Sequence, residues 1–138
     1  MISFDNYVKF FLIIFLYEME MFFMKKRILA YLAYIDSLLE QDNADWEKES
    51  KKHLVQIAFF AHERQVHLIV MALFAIAAII CILYLNFTGS IIILALTLAI
   101  LILLVPYIMH YYLLENSVQR MYVQYDEIQN RIEKSFHM

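Results

Sequence analysis

From residue 65 to residue 114 the chain carries no Asp, Glu, Lys or Arg. A gap of that length sets the terms for everything else. As one helix it would run ~75 Å at ~1.5 Å per residue, more than twice the ~30 Å hydrocarbon core of a bilayer. Two crossings of ~20 residues joined by a tight turn fit that dimension. The only Gly of the chain supplies the turn, within Asn86-Phe87-Thr88-Gly89-Ser90, a cluster of residues that favour turns. The expected spans are therefore Val66 to Leu85 and Ile91 to Tyr111, with 86–90 between them.

Composition agrees. Hydrophobic residues make up 63% of the chain and charged residues 18%, against about 45–50% and about 25% in ordinary soluble domains. A chain of 138 residues has too little interior to hide that excess, and lipid is the natural solvent for it. One Gly and one Pro leave little turn chemistry for sheets, so the fold class expected is all-α: an integral membrane two-helix hairpin with long cytoplasmic helical extensions. Tyr84 and Phe87 at one end, and Tyr107, Tyr111 and Tyr112 at the other, stand where interfacial aromatic anchors belong. Pro106 predicts a mild kink near the inner end of the second span.

Basic residues orient the hairpin. Lys25, Lys26, Arg27, Lys48, Lys51, Lys52 and Arg64 precede it, Arg120, Arg131 and Lys134 follow it, and the turn has none. The positive-inside bias places both flanks in the cytoplasm and the turn outside, as a multi-pass protein of the plasma (inner) membrane. Abundant Ile, Lys, Tyr and Phe suggest a bacterial source with an AT-rich genome. Asn86-Phe87-Thr88 fits the glycosylation acceptor pattern but is read as turn chemistry.

Beyond the second span, Leu114, Val118, Met121, Tyr125, Ile128 and Ile132 alternate at spacings of 4 and 3, a heptad seam that extends to Ser135. Charged and polar residues stand between them, so 112–138 is expected as a cytoplasmic heptad helix continuing the second span to near Phe136. Ahead of the first span, Trp46, His53, Leu54, Ile57, Phe60 and Ala61 recur at helical spacing, with Asp45 as N-cap. That predicts a cytoplasmic helix over 44–65 running into the first span. Two such extensions side by side suggest an antiparallel coiled coil, though the partner of either seam could equally be another copy or another protein.

Ile28, Leu32, Ile35 and Leu39 mark an amphipathic helix over 25–41. Its start, Lys25, Lys26 and Arg27, has affinity for an anionic membrane surface, ~1 kcal/mol per basic residue. The segment 1–24 is apolar from Val8 to Tyr17 but interrupted by Glu18 and Glu20. It reads as an interfacial anchor, as a marginal third span, or as an extension before a start at Met24.

Chemistry is sparse. His67 and His110 fall at nearly equal depth from the turn, and with Glu115 they form the only candidate metal or proton site. The bland reading, histidines solvated at headgroup level, is favoured. No phosphate loop, nucleophile elbow or carboxylate pair exists, so no enzyme activity, cofactor or small-molecule substrate is expected. The net charge of −3 offers no field for nucleic acid. Small residues, Ala72, Ala75, Ala77 and Ala78 in the first span and Ala95 and Ala99 in the second, allow close helix approach.

The function expected is that of a small non-enzymatic membrane anchor, scaffold or accessory subunit, as a homo-oligomer or within a larger membrane complex in the lipid bilayer. A holin-like or pore-forming permeabiliser is the alternative, and an immunity or accessory factor against a membrane-active peptide a further one.

Overall fold

The computed structural model describes residues 4–41 and 43–137. It is all-helical: α1 (Phe4–Leu39), α2 (Trp46–Thr88) and α3 (Ile91–Phe136). The chain divides into two units, one up to Gln41 and one from Asp42 onward.

The first unit is α1. The apolar segment and the amphipathic segment expected as separate pieces are one unbroken helix through Met24. No Gly or Pro lies in that stretch, so nothing in it stops a helix once started. Asp5 and Lys9 pair at 3.9 Å along its exposed first turns. Glu18 and Glu20 are exposed, as are Lys25, Lys26 and Arg27. The Lys26 ammonium lies 4.6 Å from the centre of the Phe22 ring.

The second unit is a hairpin of two long helices. Asp45 caps α2, its carboxylate accepting from the Lys48 backbone N–H at 3.2 Å, which satisfies one of the orphan donors of the first turn. With Glu47 and Glu49 also in that turn, the negative charge sits where the helix dipole favours it. From there α2 runs 43 residues and α3 runs 46, each ~65–70 Å long. The extensions and the apolar stretches are thus single helices, as their uninterrupted periodicity predicts.

The turn is tighter than the five residues expected. Only Gly89 and Ser90 lie outside the helices. Gly89 takes the left-handed conformation (φ 58°, ψ 19°), and its N–H closes α2 on the Leu85 carbonyl at 2.8 Å, the usual device for ending a helix. Asn86 and Thr88 belong to α2 and return their side chains to the Ile82 and Tyr84 carbonyls. These are back-bonds within the helix, a second donor to the carbonyl one turn earlier, rather than loop contacts. α3 continues through Pro106 without a break; the missing amide leaves the Ile102 carbonyl without its helical donor.

α2 and α3 pack against each other, antiparallel, with Ser50 opposite Gln129, His53 opposite Met121 and Tyr125, Arg64 opposite Glu115, and His67 opposite His110. The covered face of α2 is one continuous track. Residues 46, 50, 53, 57, 60, 64, 67, 71, 74, 78, 81 and 85 are each buried or half-buried, at spacings of alternately 4 and 3. Outside this track the two halves of the hairpin differ. Toward the open end, Lys51, Lys52, Arg120, Asp126 and Glu127 are exposed. Toward the turn, Ile69, Leu73, Ile76, Ile79, Ile80 and Leu83 of α2 and Ile92, Leu98, Ile102, Val105 and Met109 of α3 are exposed. Both helices are long and apolar enough to cross a membrane.

Candidate functional site

Three layers of polar side chains lie on the inner track of the hairpin. The outermost is near the open end. Gln129 donates to the Ser50 hydroxyl at 2.7 Å. One turn further in, His53 is fully buried, its Nε2 2.8 Å from the Met121 carbonyl, with its ring stacked on Tyr125 at 6.5 Å. A carbonyl only accepts, so Nε2 carries the proton and Nδ1 the lone pair in the neutral ring. Burial lowers the His53 pKa below the ordinary histidine value, and the bond to Met121 only partly opposes this. The imidazole is therefore a neutral hydrogen-bonding wedge between the helices.

Apolar residues surround this layer: Ile57 and Phe60 on α2, Leu114, Val118, Met121 and Ile128 on α3, all buried. Of the expected seam, Leu114, Val118, Met121 and Ile128 are buried and Tyr125 and Ile132 half-buried. Two further positions of α3, Ser117 and Gln124, are buried beside them. A pattern search keyed to apolar residues passes over both. On α2, Leu54 is 52% exposed although its spacing suggested the inner face, while its neighbours His53 and Ile57 are buried, as is Ser50 one turn earlier.

The second layer is an ion pair. Arg64 Nη1 donates to Glu115 Oε2 at 3.1 Å. Glu115 also accepts from Gln119 at 3.0 Å and from the Tyr111 hydroxyl at 3.4 Å. Its carboxyl is held below the usual range first by the Gln119 bond, against an opposing effect of desolvation, with the Arg64 charge and the Tyr111 and Arg64 hydrogen bonds each adding less.

The third layer lies one turn further toward the hairpin turn. His67 and His110, 6% and 7% exposed, face each other with ring centroids 4.6 Å apart and planes inclined by 50°. His67 Nδ1 lies 2.9 Å from the Glu63 carbonyl, which fixes the proton on Nδ1 and leaves Nε2 as the lone-pair nitrogen. His110 Nε2 is buried with no hydrogen-bond partner among the described residues. Tyr107 lies beside His67, and Phe74 beside Tyr107. The structure thus brings His67 and His110 together. It places Glu115 in the neighbouring layer, engaged with Arg64. No cluster of three or more His, Cys, Asp or Glu side chains suited to a metal ion occurs among the described residues.

The alanines distribute unevenly. Ala72, Ala95 and Ala99 are exposed and Ala75 and Ala77 half-buried, whereas Ala78 is buried. Thr97 is buried too and bonds back to the Ile93 carbonyl at 2.8 Å. An open depression of about 890 Å³ at the free end of the hairpin, flanked by Trp46 and Arg131, completes the candidate features; the Arg131 guanidinium lies 5.0 Å from the Trp46 ring centre.

No family model, no curated protein and no solved structure matches this chain.

Proposed function

We propose that the chain is a small membrane-anchored scaffold of the bacterial inner membrane: a two-span hairpin continued into the cytoplasm as an antiparallel coiled-coil stalk, which assembles with further copies or with a larger membrane complex. One observation carries the reading. A single inner track, spaced 4 and 3 along α2, joins two stretches whose outer faces are opposite in character. Where charges flank the track, the outer face suits water. Where they are absent, the outer face is Ile, Leu and Val. Each such side chain gains about 1.5–3 kcal/mol on leaving water, and the hairpin itself covers few of them. Lipid covers them all at once. The 3.5-residue period of the track predicts a left-handed supercoil.

The basic residues on both flanks of the hairpin, and their absence from the turn, favour a cytoplasmic stalk. Lys25, Lys26 and Arg27 give α1 affinity for anionic headgroups. The support for a scaffold role rather than an enzymatic one is the use made of the polar groups. His53, Ser50 and the Arg64–Glu115 pair join helix to helix, as register-setting contacts do. A rigid stalk that presents a patterned surface at a fixed height above the membrane is a platform for partners.

Two measurements test this. A cysteine placed at Ser90 in a Cys81→Ser chain reacts with an impermeant maleimide from outside intact cells, and one at Ser135 reacts only after lysis. Crosslinking in native membranes then gives discrete oligomers or a defined partner band. A strictly monomeric chain, in membranes and in mild detergent, removes the scaffold reading. Collapse of the membrane potential on expression would point to a permeabiliser instead.

A further inference from the structure

We propose that His67 and His110 form a cross-helix bidentate site for a divalent transition-metal ion of the zinc class, at the inner edge of the apolar half of the hairpin. This goes beyond the scaffold reading and requires only the α2–α3 pairing.

Three features of the pair point to a ligand. Both imidazoles are more than nine-tenths buried, on opposite helices. The Glu63 carbonyl fixes the His67 proton on Nδ1 at 2.9 Å, so that Nε2 presents its lone pair. A backbone carbonyl on the far nitrogen is the arrangement that orients metal-bound histidines and raises their basicity. On the other helix, His110 Nε2 is buried without a hydrogen-bond partner among the described residues. A buried polar atom of that kind is costly unless something completes it.

The separation is consistent with a shared ion. With a metal–nitrogen bond of about 2.0–2.1 Å, an imidazole centroid lies ~3.2 Å from the ion. Two rings at a tetrahedral angle then have centroids about 5 Å apart. The observed 4.6 Å falls within reach of a small rotation of either ring, and histidine χ2 has a broad well. A linear two-coordinate ion would need about 6 Å by the same bond lengths, which the pair does not offer.

Imidazole nitrogen selects zinc, copper, nickel and cobalt over magnesium and calcium, which take oxygen ligands. Two nitrogens are half of a tetrahedral shell, so water completes it. The charge balance nearby is favourable: Arg64, one turn away on α2, is neutralised by Glu115 at 3.1 Å. That ion pair lies between the histidines and the open end of the hairpin, on the path an ion from the cytoplasm would take.

The probe is cobalt(II), titrated into the full untagged chain in lipid nanodiscs and followed by its visible absorption, with zinc(II) as competitor. The expected result is one saturable site per chain with a nitrogen-ligand spectrum, displaced by zinc(II). His67→Ala and His110→Ala each abolish it, while His62→Ala leaves it unchanged. Helicity by circular dichroism separates loss of the site from loss of the fold. His110→Gln, which keeps a polar group and no imidazole, repeats the test where alanine impairs folding. Absence of saturable binding overturns the proposal. So does binding that survives both single substitutions, or binding that depends on His62 or His137.

Discussion

Arg64 and Glu115 stand 51 residues apart in the chain, the last charge before the charge-free stretch and the first charge after it, and they are bonded to each other at 3.1 Å. The two ends of the gap are therefore at the same height in the hairpin. Their pairing marks the level at which the outer face changes from charged to apolar. It also fixes the register of α2 on α3, because sliding one helix by a turn would part them and set an unpaired charge against the apolar half.

Neutralising one partner should cost more than removing both. Arg64→Met leaves the Glu115 carboxylate with Gln119 and Tyr111 alone, and Glu115→Gln leaves an unpaired guanidinium only 24% exposed. Unfolding in mixed micelles should show both single variants destabilised, with the Arg64→Met/Glu115→Gln chain recovering part of the loss. Simple additivity of the two single effects would mean that the pair sets no register.

His53 makes stability pH-dependent, with a definite sign. Its pKa in the folded chain lies below the ordinary histidine value, so the unfolded chain, titrating near pH ~6.5, binds the proton more readily. Stability is fully present above the unfolded pKa and is lost as pH falls through it toward the folded value. Unfolding midpoints measured from pH 8 to pH 5 should fall on the acid side, and His53→Gln should flatten that part of the profile. An unchanged slope in the variant would assign the acid sensitivity to other groups.

The track and the surface should respond oppositely to truncation. Met121 is fully buried and its near neighbour Val123 is 67% exposed. Met121→Ala should destabilise by about 2–5 kcal/mol, the range for large-to-small core changes, and Val123→Ala by less than about 0.5 kcal/mol. Comparable effects from the two would show that the covered face of α3 lies elsewhere.

How much of this was legible in the sequence depends on which physical signal each part left. The hairpin was written in the gap between Arg64 and Glu115 and in the single Gly beside Ser90. Asp45 marked the start of α2 because only a short polar acceptor caps a helix in that way. The apolar members of the α3 seam were readable from their 4 and 3 spacing. The inner face of α2 was readable at Trp46, His53, Ile57 and Phe60 but not at Ser50, Arg64 and His67, which occupy seam positions that a hydropathy pattern skips. Their partners on α3 are 43 to 79 residues away, beyond any local periodicity. His67 and His110 were paired in the sequence only by counting outward from the turn, which works because both helices are unbroken. The alanine stripe pointed to close packing, yet Ala95 and Ala99 lie on the exposed side. Small size permits approach without saying from which direction. The unbroken passage of α1 through Met24 left no mark, since a helix that continues has no cap or breaker to read.

Gly89 tests the turn in isolation. It is the one residue with positive φ among the described residues, and a Cβ built there meets nothing within 4 Å. Any cost of substitution therefore comes from the backbone alone. Gly89→Ala should destabilise the hairpin by roughly 1–2 kcal/mol, the penalty for an L-residue in the left-handed region. Gly89→Asn should cost less, because asparagine tolerates that conformation. The ordering Gly, then Asn, then Ala in unfolding experiments is the signature of a left-handed cap. Equal stability of all three would mean that α2 ends on some other residue, and the symmetric register that sets Arg64 against Glu115 and His67 against His110 would lose its pivot.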